Sequence, residues 1–159
     1  MKILIVSDTH KDNRYFYKAL DRERPLDMVI HCGDIGGNEG VLESQAACPF
    51  YVVAGNTDYY SPLPRDLLLE VEGYRIFVTH GHNYYVNSGN EVLKEFALEK
   101  GANVAFYGHT HVPEIDEQEN ITLVNPGSLS FPRQNNGCPS YAIMMIDKKG
   151  KASFEIYYF

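Results

Sequence analysis

Short apolar runs alternate with amphipathic segments along the first part of the chain. The run Lys2–Val6 is too short for a helix and predicts a buried strand. Apolar residues spaced three and four apart then predict a helix that Pro25 ends, with Asp12 or Asn13 as its cap. The chain therefore begins as a strand followed by a helix.

Two further strands and one helix follow in the same alternation. Met28–Ile30 predicts a second strand, Val41–Ala46 a short helix that ends before Pro49, and Phe50–Val53 a third strand. Strands that alternate with helices favour a parallel α/β arrangement.

The middle of the chain changes character. Leu67–Val71 and Arg75–Thr79 flank a turn and predict a hairpin. Ser88 and Glu91 have the spacing of a capping box, which predicts that a helix starts at Ser88 and ends at Gly101.

The last third is richest in strands. Val104–Tyr107 predicts one strand, and Ile121–Val124, Tyr141–Ile146 and Ser153–Tyr158 predict antiparallel strands in the tail. No linker or repeat interrupts the chain, so we expect one domain over residues 1–159. The predicted architecture is a two-sheet β-sandwich flanked by helices, of the α/β class, with functional side chains on loops at one sheet edge.

Charge and composition narrow the function. The chain has 14 basic and 21 acidic residues, a net charge of −7, which argues against non-specific nucleic-acid binding. A small phosphorylated substrate stays possible, because bound divalent ions reverse the charge locally. No apolar run suits a signal peptide or a membrane span, and three cysteines without a Cys-x-x-Cys pair favour a reduced, cytoplasmic protein.

Candidate metal ligands recur at the ends of the predicted strands. The set contains two aspartates, one asparagine and four histidines: Asp8, His10, Asp34, Asn56, His80, His109 and His111. Mixed oxygen and imidazole donors suit Mn, Fe, Co, Ni or Zn better than Mg or Ca. Two such ions about 3.5–4 Å apart would clamp the attacking and leaving oxygens of a phosphoryl group.

The local spacing suggests how these side chains converge. In an extended segment residues i and i+2 face the same way, so Asp8 would join His10, and His109 would join His111. Gly33 permits a tight turn before Asp34, whose carboxylate can bridge two cations.

The ordered motifs resemble those of the calcineurin-like metallophosphoesterases. The matching segments are Asp8-x-His10, Gly33-Asp34, Gly55-Asn56-x-Asp58, His80-Gly81 and Gly108-His109-x-His111. The short length, Thr79-His80-Gly81-His82 and Asn125-Pro126-Gly127-Ser128 are similar to the small YfcE-type phosphodiesterase subfamily, which also includes a eukaryotic retromer subunit of the same fold. The resemblance covers the whole chain.

The resemblance implies a four-layer α/β/β/α sandwich and a role for each ligand. It places Asp8, His10 and His111 on a first ion, makes Asp34 the bridge, and gives Asn56, His80 and His109 to a second ion. Two divalent ions, with manganese first and nickel, zinc, cobalt or iron as alternatives, would hold a bridging hydroxide that hydrolyses a phosphodiester. The residues expected to take part in catalysis are Asp34, Asn56, Asp58 and His80.

One position departs from the family pattern. Many relatives carry a histidine after the Gly-Asn pair as proton donor, with the following aspartate orienting it, whereas this chain has Thr57 and retains Asp58. A threonine hydroxyl is a poor acid near neutral pH. We therefore expect Thr57 to contact substrate only, and small phosphodiesters with acidic leaving groups to be the preferred substrates.

Several residues near the motifs allow two interpretations. His82 either lines the substrate site or, as we favour, bonds a loop carbonyl, and Arg133 either binds a substrate phosphate or stays on the surface. His31 is expected to orient the Asp34 loop, with Cys32 packed in the core. The tyrosine-rich segments Tyr59-Tyr60 and Tyr84-Tyr85 would shape a substrate cleft or a dimer surface, a symmetric homodimer being the default oligomer.

The alternative function is a non-catalytic scaffold of the same fold that binds protein partners, as in the retromer branch. A degraded ligand set would favour the scaffold. All seven ligand positions here hold residues able to bind metal, which favours the enzyme.

Overall fold

The computed structural model describes residues 1–159 and contains ten strands and three α-helices. The strands are β1 (Lys2–Val6), β2 (Met28–His31), β3 (Phe50–Val52), β4 (Asp66–Val71), β5 (Tyr74–Thr79), β6 (Val104–Phe106), β7 (Pro113–Glu117), β8 (Thr122–Pro126), β9 (Ser140–Ile146) and β10 (Ala152–Tyr158). The helices are α1 (Arg14–Glu23), α2 (Glu39–Ala46) and α3 (Glu91–Glu99). None of these helices is long and apolar enough to cross a bilayer.

The strands form two mixed sheets of five. The first has the order β10-β9-β1-β2-β3, with β1, β2 and β3 parallel and β9 antiparallel to β1. The second has the order β4-β5-β6-β8-β7, with β5, β6 and β8 parallel. The carboxyl ends of these parallel strands lead into the loops that carry the candidate ligands.

Alternating side chains bury both faces of each sheet. Ile3 and Ile5 of β1 join Val78 and Phe106 of the second sheet in the apolar layer between the sheets. Leu4, which points the other way, packs in the layer beneath α1 and α2. Full burial of such a side chain contributes about 1.5–3 kcal/mol. Burial on both faces explains why β1 is a continuous apolar run.

The second sheet is covered on its outer face by α3. Leu93 and Ala97 of this helix pack with Phe77, Ala105 and Leu123 of the strands. The order of layers is therefore helix, sheet, sheet, helix. This confirms the predicted sandwich flanked by helices.

Most predicted elements are present, and three details differ. Ser88 belongs to a 3-10 turn, Val86–Ser88, so α3 starts later, after Asn90, without the predicted capping-box contact. β7 was not predicted, because it opens on Pro113 and carries acidic side chains typical of an edge strand. β8 is antiparallel to β7 but parallel to β6.

Candidate metal centre

Two groups of acidic and imidazole side chains lie at the shared end of the two sheets. Asp8, His10 and His111 form the first group, and Asp8, Asp34 and His80 form the second, with the ligand atoms of each group within 4.8 Å of one another. The groups share Asp8. Their members come from loops after strands of both sheets, which explains why residues about a hundred positions apart in sequence meet.

Short distances connect the two groups. His111 Nε2 lies 3.0 Å from Asp8 Oδ1, and His10 Nε2 lies 3.7 Å from the same oxygen. Asp34 Oδ2 lies between two imidazoles, 3.7 Å from His10 Nε2 and 3.5 Å from His80 Nε2. Asp34 Oδ2 thus lies within 4 Å of both imidazoles, and its role as a bridge between two ions stays a prediction.

The proton positions on two imidazoles follow from their backbone partners. His80 Nδ1 lies 2.8 Å from the carbonyl oxygen of Cys32, and His111 Nδ1 lies 2.7 Å from that of Phe131. A carbonyl oxygen only accepts, so Nδ1 carries a proton in each ring, and in the neutral form of the ring Nε2 keeps the lone pair. This is the arrangement by which second-sphere carbonyls orient metal-binding histidines.

Those lone pairs face other acceptor atoms. His80 Nε2 lies 3.0 Å from Asn56 Oδ1, and the buried Asp8 Oδ1 that His111 Nε2 approaches has no hydrogen-bond donor. His10 Nε2 also lacks a partner. Buried acceptors that face one another without a donor are unfavourable, and a cation between them removes the conflict. The residues present therefore fit divalent metal ions.

The backbone at these ligands is left-handed, not extended. Asp8, His10, Asp34, His109 and His111 have φ between 45° and 70°, and they are five of the nine non-glycine residues with positive φ. Each costs about 1–3 kcal/mol unless the surroundings compensate, and such strain concentrates at functional sites. The i, i+2 argument from an extended segment was therefore wrong, although Asp8 and His10 do meet.

Glycines next to the ligands allow the loops to approach closely. A Cβ on Gly33, where φ is +99°, would lie 2.8 Å from His80 Nδ1, and a Cβ on Gly55 would overlap the Asp34 carboxylate. A Cβ on Gly108 would overlap the side chain of Ser7. The tight turn predicted at Gly33 is present, and both its positive φ and its closeness to His80 require glycine there.

Asp58 joins the Asp34 loop to the Asn56 loop. Its Oδ1 accepts from the Gly36 amide at 2.8 Å, and its Oδ2 accepts from the Ile35 amide at 3.2 Å and the Gly55 amide at 2.9 Å. Burial raises the pKa of Asp58, but these amides outweigh it and lower the pKa below its usual value. Both oxygens are engaged with backbone, so Asp58 acts here as a positioning residue.

Thr57 faces solvent at the edge of the centre. Its amide donates to Asp34 Oδ1 at 2.8 Å, which holds that carboxylate in place. The contribution of this residue to the centre is therefore a backbone one, consistent with the absence of a proton donor at position 57.

His31 supports the same loop from below. The Gly33 amide donates to its Nδ1 at 3.2 Å, and its Nε2 lies 3.1 Å from Thr9 Oγ1. Burial lowers the pKa of His31 to about 4, so the ring is neutral at physiological pH. His31 orients the Asp34 loop as expected, and Cys32 is buried in the core between the sheets.

Side chains from the tail hold the Asp8 loop. Ser128 Oγ and Ser130 Oγ donate to the carbonyl oxygen of Asp8 at 3.0 and 2.7 Å, and Asn125 Nδ2 donates to that of Gly108 at 3.0 Å. In the sequence, Asn125-Pro126-Gly127-Ser128 contributed only to the family resemblance, and these contacts were not predicted. Only the tertiary structure brings residues some 120 positions apart together.

His109 lies beside both groups but belongs to neither. Its ring centroid is 5.2 Å from that of His80, its amide donates to Asp8 Oδ2 at 3.2 Å, and its Nε2 is 2.9 Å from Asn87 Nδ2. Burial, followed by the His80 charge, lowers the pKa of His109. Its assignment to the second ion therefore stays a prediction.

Three further side chains lie around the centre. The His82 ring is 5.3 Å from that of His80, and its buried Nδ1 has no partner, so the loop-carbonyl bond that we favoured is absent. Arg65, which sequence reasoning missed, donates to the Gly55 carbonyl at 3.0 Å. The Arg133 amide donates to the His111 carbonyl at 3.1 Å, and the Arg133 side chain is exposed.

The charges within the first group are strongly coupled. Burial by itself raises the pKa of Asp8, but the His10 and His111 imidazoles outweigh it and hold the pKa of that carboxyl far below its usual range. The Asp8 carboxylate in turn raises the pKa of His10. The 3.7 Å between His10 Nε2 and Asp8 Oδ1 is too long for a hydrogen bond, so we attribute this coupling to charge attraction.

Curated relatives share most of the length of the chain. A probable metallophosphoesterase of Methanocaldococcus jannaschii is 37% identical over 154 residues, which cover 95% of this chain and 78% of that protein. A phosphodiesterase of the same organism is 27% identical over 167 residues, covering 94% and 95% respectively.

Solved structures share the fold. A predicted phosphoesterase of Streptococcus pneumoniae TIGR4 has a TM-score of 0.81 at 29% identity, over 99% of this chain and 97% of that one. Vps29 of Entamoeba histolytica complexed with Zn²⁺ has a TM-score of 0.79 at 22% identity, over 99% of both chains. At that lower identity the likeness shows the fold alone.

The family model of the calcineurin-like phosphoesterase superfamily domain matches residues 1–149. The two-sheet fold and the full-length relatives agree with this match. The protein therefore belongs to the calcineurin-like phosphoesterase superfamily, and this membership supports hydrolysis of phosphoesters with divalent metal ions as its general activity.

Proposed function

We propose that this chain is a phosphodiesterase that uses two divalent metal ions. The observation that carries the proposal is the pair of ligand groups that share Asp8, with Asp34 Oδ2 between His10 and His80. When bound, the two ions supply Lewis acidity toward the phosphate oxygens and a hydroxide nucleophile near neutral pH. The protein side chains provide the geometry.

Each candidate ligand has a proposed place. Asp8, His10 and His111 would hold one ion, and His80 with Asn56 would hold the other, with His109 as its further ligand and Asp34 between the two. Neutral imidazole and amide donors limit the negative charge around the centre, which leaves the ions attractive to an anionic phosphate. Manganese is our first choice of metal, with nickel, zinc, cobalt and iron as alternatives.

The proposed substrate is a diester with an acidic leaving group. Thr57 at the edge of the centre offers no acid of suitable pKa, and Asp58 is fully engaged with backbone amides. A leaving group that is stable as an anion needs no proton from the protein. His82, with its unpartnered Nδ1, and Arg133 are proposed to contact the substrate.

The test compares two aryl esters with the same leaving group. Protein loaded with Mn²⁺ should hydrolyse bis(p-nitrophenyl) phosphate faster than p-nitrophenyl phosphate. Faster hydrolysis of the monoester would contradict the proposal. Asn56→Ala and His80→Ala should lose most turnover, whereas Asn135→Ala, at an exposed loop position, should not.

A scaffold that binds protein partners is the second candidate. The observation in its favour is the likeness to Vps29 over the whole chain, which shows the fold alone. Asp8 Oδ1 and His10 Nε2 are buried at the sheet edge without hydrogen-bond partners, and a protein that only binds partners does not need such a site. We therefore prefer the enzyme. Absence of hydrolysis with every divalent metal would reverse that preference.

A further inference from the structure

A cleft of about 410 Å³ opens directly beside the metal centre. Its lining includes Lys11 and Thr57, which follow the candidate ligands His10 and Asn56 in the sequence. Small-molecule sites usually enclose about 300–1,000 Å³. The cleft is therefore large enough for a substituent on the substrate, and it lies next to the loops that carry the candidate metal ligands.

Two adjacent aromatic side chains line this cleft. Tyr59 is 75% exposed and Tyr60 is fully exposed, so the protein covers neither ring. Large aromatic surfaces without a packing partner are unfavourable in water and are favoured where planar ligands stack. These tyrosines suit a flat, heteroaromatic group.

An acidic and a basic side chain, Glu39 and Lys11, also line the cleft. Glu39 Oε2 is buried and has no hydrogen-bond donor, so it can accept from a ligand hydroxyl, as acidic residues do for ribose. The stem of Lys11 lies over Gly36, where a Cβ would be 2.5 Å from Lys11 Cγ. Lys11 forms no ion pair within the chain, and its ammonium group is free for a phosphate oxygen.

We propose that this cleft binds the nucleoside part of a small nucleotide diester, an inference that rests on the proposed phosphodiesterase function. Tyr59 and Tyr60 would stack on the base, Glu39 would accept from a sugar hydroxyl, and Lys11 would pair with the phosphate. A net charge of −7 disfavours long nucleic acids, so the substrate class is a mononucleotide or dinucleotide ester.

The test measures a substrate preference. Two diesters with the same leaving group are compared on Mn²⁺-loaded protein: thymidine 5′-(p-nitrophenyl phosphate) and methyl p-nitrophenyl phosphate. Base stacking typically strengthens binding by about 5- to 150-fold, so kcat/KM should favour the nucleoside ester by roughly tenfold or more. Tyr59→Ala with Tyr60→Ala should abolish this ratio through KM, and Tyr158→Ala, at a 42% exposed tyrosine on β10 that does not line the cleft, should keep it.

Further variants separate the polar contacts. Glu39→Gln keeps the size of the side chain and removes its charge, and Lys11→Met keeps the stem over Gly36. Glu39→Gln should lower the ratio by about threefold to tenfold, the usual range for one hydrogen bond. Lys11→Met should instead lower kcat/KM for both esters by a similar factor and leave the ratio unchanged, because both esters carry the phosphate that Lys11 contacts.

A binding measurement distinguishes the two proposals. Thymidine 5′-monophosphate should shift the ring resonances of Tyr59 and Tyr60 saturably in NMR spectra, even if no diester is turned over. Failure to hydrolyse either ester would overturn only the phosphodiesterase. A ratio near one in the wild type, with no saturable shift, would overturn the cleft assignment. The assignment would also fail if the Tyr59→Ala, Tyr60→Ala double variant changed the oligomeric mass but kept the ratio, because the tyrosines would then form a dimer surface.

Discussion

Asp58 offers the sharpest test of how the chain positions its centre. Its carboxylate accepts three backbone amides, from Ile35, Gly36 and Gly55, and so ties the loop of Asp34 to the loop of Asn56. Asp58→Asn keeps the shape and replaces one accepting oxygen by a donor. The best orientation of the amide places that donor at the former Oδ1, which loses the bond to Gly36 alone.

The magnitude follows from the number of bonds. A hydrogen bond to a charged group contributes about 1.5–3 kcal/mol, so Asp58→Asn should destabilise the fold by about 2 kcal/mol. For a chain of this size that corresponds to a fall in Tm of about 4–8 °C. Because the pKa of Asp58 is lowered in the fold, its stabilisation is complete at neutral pH and is lost only as pH falls below about 4.

Asp58→Asn should weaken Mn²⁺ binding by more than its loss of fold stability alone would cause. Displacement of second-sphere contacts typically weakens metal affinity by about 10- to 100-fold, and we expect that loss for Mn²⁺ measured by calorimetry. Asp147→Asn is the matched control, since Asp147 accepts two backbone amides in a remote turn. Wild-type Tm and metal affinity in Asp58→Asn would refute the reasoning.

Three further predictions concern the same centre. Gly55→Ala should abolish binding of one ion, because the new Cβ would overlap both the carboxylate and the backbone amide of Asp34 and so displace the Asp34 loop; metal content and circular dichroism check this. Thr57→His, at an exposed position, should raise hydrolysis of a phosphoester with a weakly acidic alcohol as leaving group by about 10²-fold by adding a proton donor, and should leave the rate on p-nitrophenyl esters unchanged, as steady-state kinetics will show. Mn²⁺ affinity should fall as pH is lowered through the neutral range, since Asp8 raises the pKa of His10 and the proton competes with the metal.

Each of these has an opposing outcome. Two bound ions in Gly55→Ala would mean that the close approach is not required, with Gly40→Ala, at an open helix position, as its control. An unchanged rate on the ester with the weakly acidic leaving group in Thr57→His would remove the missing proton donor as the explanation for the preference for acidic leaving groups. A Mn²⁺ affinity independent of pH between 6 and 8 would exclude His10 as a ligand.

The fold was largely predictable because burial dictates its pattern. β1 is apolar from Ile3 to Val6, since Ile3 and Ile5 face one apolar layer and Leu4 faces the other. β7 escaped prediction for the converse reason. It is an edge strand opened by Pro113, so its residues carry no burial signal.

The candidate ligands were predictable as residue types, but their geometry was not. The order of aspartates and histidines indicates metal chemistry, whereas the left-handed backbone at Asp8 and His111 depends on contacts that only the folded loops make. The serine hydroxyls on the Asp8 carbonyl come from Ser128 and Ser130, far along the chain. Local sequence carries no trace of such partners.

The central claim is that the two ligand groups form one centre for two ions. Protein freed of metal, reconstituted with excess Mn²⁺ and desalted should contain two equivalents per chain by elemental analysis, and His80→Ala should retain one. A wild type that holds one equivalent or none, or a His80→Ala variant that still holds two, would contradict the account.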